Sequence, residues 1–198
     1  SYHLEKNHLT NILSDYSRLD EIYRLTHDSL VDAGAITPKR DGKVKTSPHL
    51  DRIPETSTVI TEQNGQIVAT ISITADNSFG LPIDNYFKEE TDAIRANSSD
   101  QVGVIWRIAS RKECRRNTHL IMDTIAKGTQ LMYASSCRIW VACINEKHVR
   151  FYRRFFDAEI VSRKIATIDR EIEIPMLLMQ GDVEKAWNTF NAHARDRR

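Results

Sequence analysis

Apolar positions along the chain switch between two periods, and the switches divide it into elements. Residues 11–32 carry Ile12, Tyr16, Leu19, Ile22, Tyr23, Leu30 and Val31 at steps near three and four, which predicts an amphipathic helix. Gly34 then reads as a stop. Over residues 37–55 the period is lost and three prolines intervene, which predicts a long loop of the kind that often carries function. Alternation returns in residues 58–62 and 67–74, joined through Asn64-Gly65. Asn-Gly between alternating runs signals a hairpin, because a type I′ turn requires positive φ at both central residues. In the second run Ile67, Ala69, Ile71 and Ile73 share one face.

A loop over 76–99, with a short helix near 86–96, precedes a clearer central unit. Residues 102–109 read as an apolar strand interrupted by Arg107, and residues 118–135 as a helix with Ile121, Ile125 and Met132 on one stripe. Residues 138–144 are apolar on both faces, as a central strand covered by helices requires. A short helix over 146–156, strands over 162–168 and 172–180, and a helix capped at Gly181-Asp182 and running to about residue 194 complete the chain. The pattern predicts an α/β (mixed α+β) fold, a mixed and mostly antiparallel central sheet flanked by helices on both faces. All 198 residues fit one domain, with an N-terminal helical arm over about 1–18 and a C-terminal helix over about 182–194.

Composition narrows the chemistry. With 40% apolar and 28% charged residues the balance is that of a soluble globular chain. The longest apolar runs, such as 139–144, are far too short to span a bilayer. The opening Ser-Tyr-His-Leu-Glu-Lys lacks the layout of a secretory signal. The expectation is a cytoplasmic protein with no integral membrane segment. Cys114, Cys137 and Cys143 form no paired motif and are expected as buried, reduced thiols. Phosphate-binding loop, dinucleotide fingerprint and nucleophile elbow are absent, and the seven histidines show no metal-ligand spacing. Net charge is only +1, yet Arg111, Lys112, Arg115 and Arg116 cluster in one run and Lys147, Arg150, Arg153 and Arg154 in another. Local patches on a near-neutral chain fit docking by one acidic partner. Without interleaved aromatics they do not make a nucleic-acid surface.

The strand, turn and helix around residues 102–118 carry the candidate chemistry. A thioester donor carried on phosphopantetheine or coenzyme A needs a backbone-lined slot for its amide arm and positive charge for its phosphates. A strand running into a helix N-terminus offers both, and Ala109, Ser110, Arg111, Lys112, Arg115, Arg116 and Asn117 line that corner. A solvated basic turn is the plain alternative. Arg107, charged within an apolar strand, needs a partner. Either the carboxylate of an amino-acid substrate, which suits its planar fork, or a structural ion pair meets that need. Glu55, His27 and Asp28 stand as alternatives for the base that takes a proton from the attacking amine.

Residues 143–156, Cys-Ile-Asn-Glu-Lys-His-Val-Arg-Phe-Tyr-Arg-Arg-Phe-Phe, resemble the late strand-to-helix segment of the GNAT acyltransferase superfamily. That resemblance implies the GNAT fold, Asn145 on the pantetheine arm and Tyr152 as the acid that protonates the departing thiolate. Tyr23-Arg24-Leu25-Thr26-His27, then residues 65–71, Leu81-Pro82-Ile83 and Arg107-Ile108-Ala109 resemble, in order, acyl-homoserine lactone synthases. The likeness is nearer still to long-chain N-acyl amino acid synthases of the N-acyl tyrosine type. It implies a bacterial enzyme that moves a long-chain fatty acyl group from acyl carrier protein to the α-amine of an amino acid, tyrosine favoured, with no tightly bound cofactor. The superfamily's glycine-rich pyrophosphate loop is missing from residues 111–116, which suits the acyl-phosphopantetheine of acyl carrier protein better than acyl-CoA. Val104 stands where lactone synthases carry an acid, which favours amide over lactone formation. The alternatives are a lactone-type signal synthase, an acetyl-CoA-dependent N-acetyltransferase and an acyl-binding regulatory module. An acyl tunnel is expected among Phe79, Leu81, Ile83, Phe87, Met122 and Phe151.

Overall fold

The computed structural model describes residues 7–168 and 172–195. Those residues build one seven-stranded sheet in the spatial order β1 (Leu9–Ile12), β2 (Thr56–Gln63), β3 (Gln66–Ala75), β4 (Val102–Ser110), β5 (Ile139–Asn145), β7 (Ile172–Asp182) and β6 (Glu159–Ile168). β4 and β5 pair in parallel, and every other neighbouring pair is antiparallel. Five helices cover the sheet: α1 (Leu19–Asp32), α2 (Asp84–Asn97), α3 (Thr118–Ala134), α4 (Val149–Phe156) and α5 (Val183–Arg195).

Local chemistry explains the pieces. Asn64 and Gly65 both hold positive φ, 51° and 76°, so the β2–β3 hairpin closes through the turn that Asn-Gly favours. Alternation along β3 sends Ile71 and Ile73 to one face, where α3 supplies Met122, Ile125 and Met132 and α5 supplies Val183 and Phe190. Gly128 lets α3 approach closely, since a Cβ there would stand 3.2 Å from the Ile71 side chain. The opposite face is shared by α1, whose Ile22 and Leu25 pack on Ile60, and by α2, whose Phe87 packs against Val104 and Trp106. Each large side chain buried this way stabilises the fold by roughly 1.5–3 kcal/mol. Pro175 sits in β7 just past Met176, the last residue paired with β5, where its missing N–H costs no ladder bond to that strand.

The N-terminal arm differs from expectation. Residues 9–12 are an edge strand, 16–18 a single 3-10 turn, and helix begins only at Leu19. Leu9 and Ile12 are exposed, so the apolar spacing before residue 19 never forms a buried stripe. Residues 1–6 lie outside the described residues. The long loop, the hairpin, the central strand–helix–strand unit and the C-terminal helix stand where the pattern placed them, with ends shifted by a few residues.

Candidate active site

β4 and β5 part company halfway along. Their parallel register runs from Val102 opposite Ile139 to Ile105 opposite Ala142, and stops. Beyond it β4 follows β3 as far as Ser110, while β5 follows β7 as far as Asn145. Two strands bound on their outer sides but not to each other leave an opening between them. Because they are parallel, the turns that follow them adjoin at the same end of the sheet, where α/β folds gather ligands.

A bulge marks the parting point. Ile71 of β3 faces two residues of β4, Arg107 and Ile108, and Arg107 takes φ of +50°. The extra residue sends the neighbouring side chains of Trp106 and Arg107 to one face, the guanidinium stacking 4.4 Å from the indole centroid. There Arg107 is fully enclosed. Its Nη1 donates to Asp51 Oδ1 at 2.6 Å, its Nε to Ser72 Oγ at 3.0 Å and its Nη2 to Thr58 Oγ1 at 3.2 Å. Tyr23 donates its hydroxyl to the other Asp51 oxygen at 2.5 Å. Burial first, then this bond to a carboxylate, pushes the Tyr23 pKa up to about 12. The charge in the apolar strand therefore answers to an ion pair. With side-chain exposures of 0% for Arg107 and 1% for Asp51, no fork is left for a substrate carboxylate. Asp51 is the carboxylate that sequence pattern does not point to, since its partner Arg107 lies 56 positions away.

The other expected residues divide. Ala109 and Ser110 end the half of β4 beyond its pairing with β5, and Asn145 ends the corresponding half of β5. Asn145 and Asn117 spend their side-chain oxygens as caps, on the Lys147 and Leu120 amides. Arg111, Lys112 and Arg116 project from the turn after β4 and, like Lys147, Arg150 and Arg153 after β5, have no ion-pair partner among the described residues. Arg115 is paired with Asp32. Tyr152 lies on the α3–α5 side, partly buried between Trp140 and Phe156, and its hydroxyl has no hydrogen-bond partner among the described residues. Burial raises its pKa above the ordinary phenol value.

Glu55 is not brought to the opening. It heads β2, beside Ala75 and so beside Gly103 at the start of β4, roughly 20 Å along the strand from Ala109 at the usual rise per residue. His27 is committed as well: its Nε2 accepts the Lys39 amide at 2.9 Å and its Nδ1 bonds Asp28, so it anchors the loop. The expected tunnel residues are split by the sheet. Leu81, Ile83 and Phe87 pack on the α2 side, Met122 and Phe151 on the α3 side, and Phe79 is exposed. Two open hollows lie elsewhere, about 450 Å³ beside β1 and about 220 Å³ beside Asp157 and Asp182. Neither contains an expected site residue, and the parted strands with their basic mouth are the better candidate on chemical grounds. Cys114, Cys137 and Cys143 are all free thiols, the first two buried and the third half-buried. No helix among the described residues is long and apolar enough to cross a membrane.

The family model described as N-acyl amino acid synthase FeeM matches residues 21–182. No curated protein sequence matches. Among solved structures the chain is similar to FeeM, an N-acyl amino acid synthase from uncultured soil microbes, with TM-score 0.73 and 16% identity over 89% of this chain and 91% of that one. It is also similar to BjaI, a CoA-dependent acyl-homoserine lactone synthase solved with SAM and isopentyl-CoA, with TM-score 0.67 and 12% identity over 94% and 89%. A GNAT acetyltransferase from Streptococcus pneumoniae matches at TM-score 0.59 and 15% identity over 88% and 99%. The fold is that of the GNAT acyltransferases.

Proposed function

The chain belongs to the N-acyl amino acid synthase FeeM family, and on that premise we propose that it moves a long-chain fatty acyl group from the phosphopantetheine thioester of acyl carrier protein to the α-amine of an amino acid, tyrosine favoured. The observation that carries the donor assignment is the mouth of the β4–β5 opening. Unpaired cations from two adjoining turns suit an acidic carrier, and the turn after β4 has no glycine loop for a diphosphate.

In this reading the thioester lies in the opening with its amide arm along the unpaired edges of β4 and β5. A neutral α-amine attacks the thioester carbonyl, and backbone N–H groups at the Arg107–Ile108 bulge receive the oxyanion. The C–N bond forms, the amine's proton leaves to water, and the C–S bond breaks. Tyr152, kept protonated by burial, gives its proton to the departing thiolate. Arg107 does not touch substrate; with Asp51 it positions the bulge.

The test is incubation with long-chain acyl carrier protein and the twenty amino acids, with products read by mass spectrometry. N-acyl tyrosine as the main product is expected. Amide formed only from acetyl-CoA would refute the donor assignment, and another N-acyl amino acid as main product would refute the acceptor.

A further inference from the structure

The long segment between α1 and β2 is fastened along one stripe of α1. Lys43 Nζ pairs with Asp20 Oδ2 at 3.0 Å, the Val44 amide donates to the Tyr23 carbonyl at 3.0 Å, and Lys45 Nζ lies 5.5 Å over the Tyr23 ring. The Tyr23 hydroxyl holds Asp51, and the Lys39 amide donates to His27 Nε2 at 2.9 Å. Asp20, Tyr23 and His27 stand three and four residues apart, so their side chains share one face of the helix. That face adjoins the apolar one, whose Ile22 and Leu25 pack towards the sheet.

His27 is the fastener that a proton can undo near neutral pH. Its ring is enclosed, at 6% exposure. A ring nitrogen that accepts an amide N–H carries no proton, so the fastened ring is neutral and keeps its proton on Nδ1, which bonds Asp28 Oδ1 at 2.9 Å. Imidazole is the side chain whose charge changes between about pH 5 and 8. A second proton would sit on Nε2 and set a donor against a donor. The bond to Asp28 survives that change, but the Lys39 amide loses its acceptor, and a buried donor without a partner is costly. The added charge also meets mostly cations. Around it α1 brings Arg24, whose guanidinium lies beside Gly42, Tyr23, bound to Asp51, and the largely exposed Asp28; the segment brings Lys39, Arg40 and Asp41. Of the strands beneath α1, β3 carries no titratable side chain and β4 carries Arg107 alone, already paired with Asp51.

We propose that His27 is a positioning residue that works as an acid-sensitive latch. Neutral, it fastens the segment to α1; protonated, it releases the Lys39 amide and loosens the segment that carries Asp51. Asp51 holds Arg107 at the β4 bulge, so the latch regulates the opening between β4 and β5. Its effect on activity rests on the acyl-transfer reading above, whereas the latch itself does not.

Amide exchange in the full chain tests the latch. From about pH 8 to about pH 5, protection of the Lys39 amide, relative to an unstructured peptide at the same pH, should fall about tenfold, the scale of one hydrogen bond. His27→Gln sets a carboxamide oxygen where Nε2 stands and accepts the amide at every pH, so its protection should hold. Constant protection in the native chain, or the same fall in His27→Gln, overturns the latch. The link to the bulge is read from the Trp106 indole N–H resonance, since that ring stacks on Arg107. It should shift as the native chain loses Lys39 protection and stay in place in His27→Gln; a resonance that ignores the loss overturns the regulatory role. In the amide-forming assay, the rate of His27→Gln relative to the native chain should rise by up to about tenfold over the same range, the share of the segment set loose. Protonation of the acceptor amine cancels from that ratio, so a flat ratio also overturns the regulatory role. If both resonance signals respond but no donor yields amide at any pH, the latch stands and the function reading fails.

Discussion

Removing Arg107 tests the central claim that this cation is held by the fold and not by substrate. Arg107→Met leaves the Asp51 carboxylate, 1% exposed, with only the Tyr23 hydroxyl for company. It also removes the guanidinium from Ser72 Oγ and Thr58 Oγ1, which keep only their long 3.4 Å bond to each other. Breaking one side of a buried ion pair costs about 3–5 kcal/mol. For a domain near 200 residues, at about 2–4 °C per kcal/mol, that lowers Tm by roughly 6–20 °C. The assay is urea unfolding of the native chain, Arg107→Met, Asp51→Asn and the double variant. Because the two side chains touch, the cycle should show coupling of about 1–3 kcal/mol, the double variant being less destabilised than the sum of the singles.

Activity gives the second readout. Arg107→Lys keeps the charge but not the fork, and where it folds its KM for the acceptor amino acid should stay near that of the native chain. Two results would refute the reasoning. One is a loss below about 1 kcal/mol for Arg107→Met with an additive cycle. The other is a rise in acceptor KM of about tenfold or more for folded Arg107→Lys, which would mean the guanidinium reaches substrate.

Two further outcomes are expected. The Tyr23 phenol titrates near the ordinary phenol value of 10.0 when unfolded and near 12 when folded, so between about those values the unfolded chain gives up a proton that the folded chain keeps. Its contribution is full below about pH 10 and is lost as pH rises towards 12; Tyr23→Phe should flatten the fall in urea-measured stability over that range, and an unchanged slope would count against this origin. Tyr152→Phe removes a hydroxyl without a hydrogen-bond partner among the described residues, so Tm should hold while kcat falls by about 10²–10⁴; a kcat near that of the native chain would remove Tyr152 from the thiolate-protonating role.

How much of this was legible beforehand depended on the range of each interaction. The hairpin at Asn64-Gly65 needs only two residues with positive φ, and both have it. The strand–helix–strand centre was readable because β3, β4 and β5 are buried on both faces and α3 keeps a steady stripe. β1 was not, because an edge strand with the burial pattern of exposed and half-buried residues is fixed by its register on β2, Leu9 opposite Glu62 through Ile12 opposite Val59. The same distinction runs through the site. The basic mouth is written in two short runs, whereas the Asp51–Arg107 pair joins residues far apart in sequence and leaves no local signature. Glu55 looked eligible as a loose acid near a strand, and antiparallel pairing then carried it to the wrong end of β4.

The presence of arginine, and not glycine, at the bulge ties the two halves of the site together. A side chain at φ of +50° carries strain of roughly 1–2 kcal/mol that glycine would avoid. Arg107 offsets it through three hydrogen bonds, and two of its partners, Ser72 and Thr58, belong to the sheet. The third, Asp51, belongs to the long segment between α1 and β2. That segment is itself held to α1 by the Val44 amide on the Tyr23 carbonyl, by the Lys39 amide on His27 and by the Tyr23 hydroxyl on Asp51. The conformation of β4 where it leaves β5 therefore depends on where this segment sits. Displacing Asp51 would free the Arg107 side chain, relax the bulge and so alter the β4–β5 opening from a segment outside the two strands that form it.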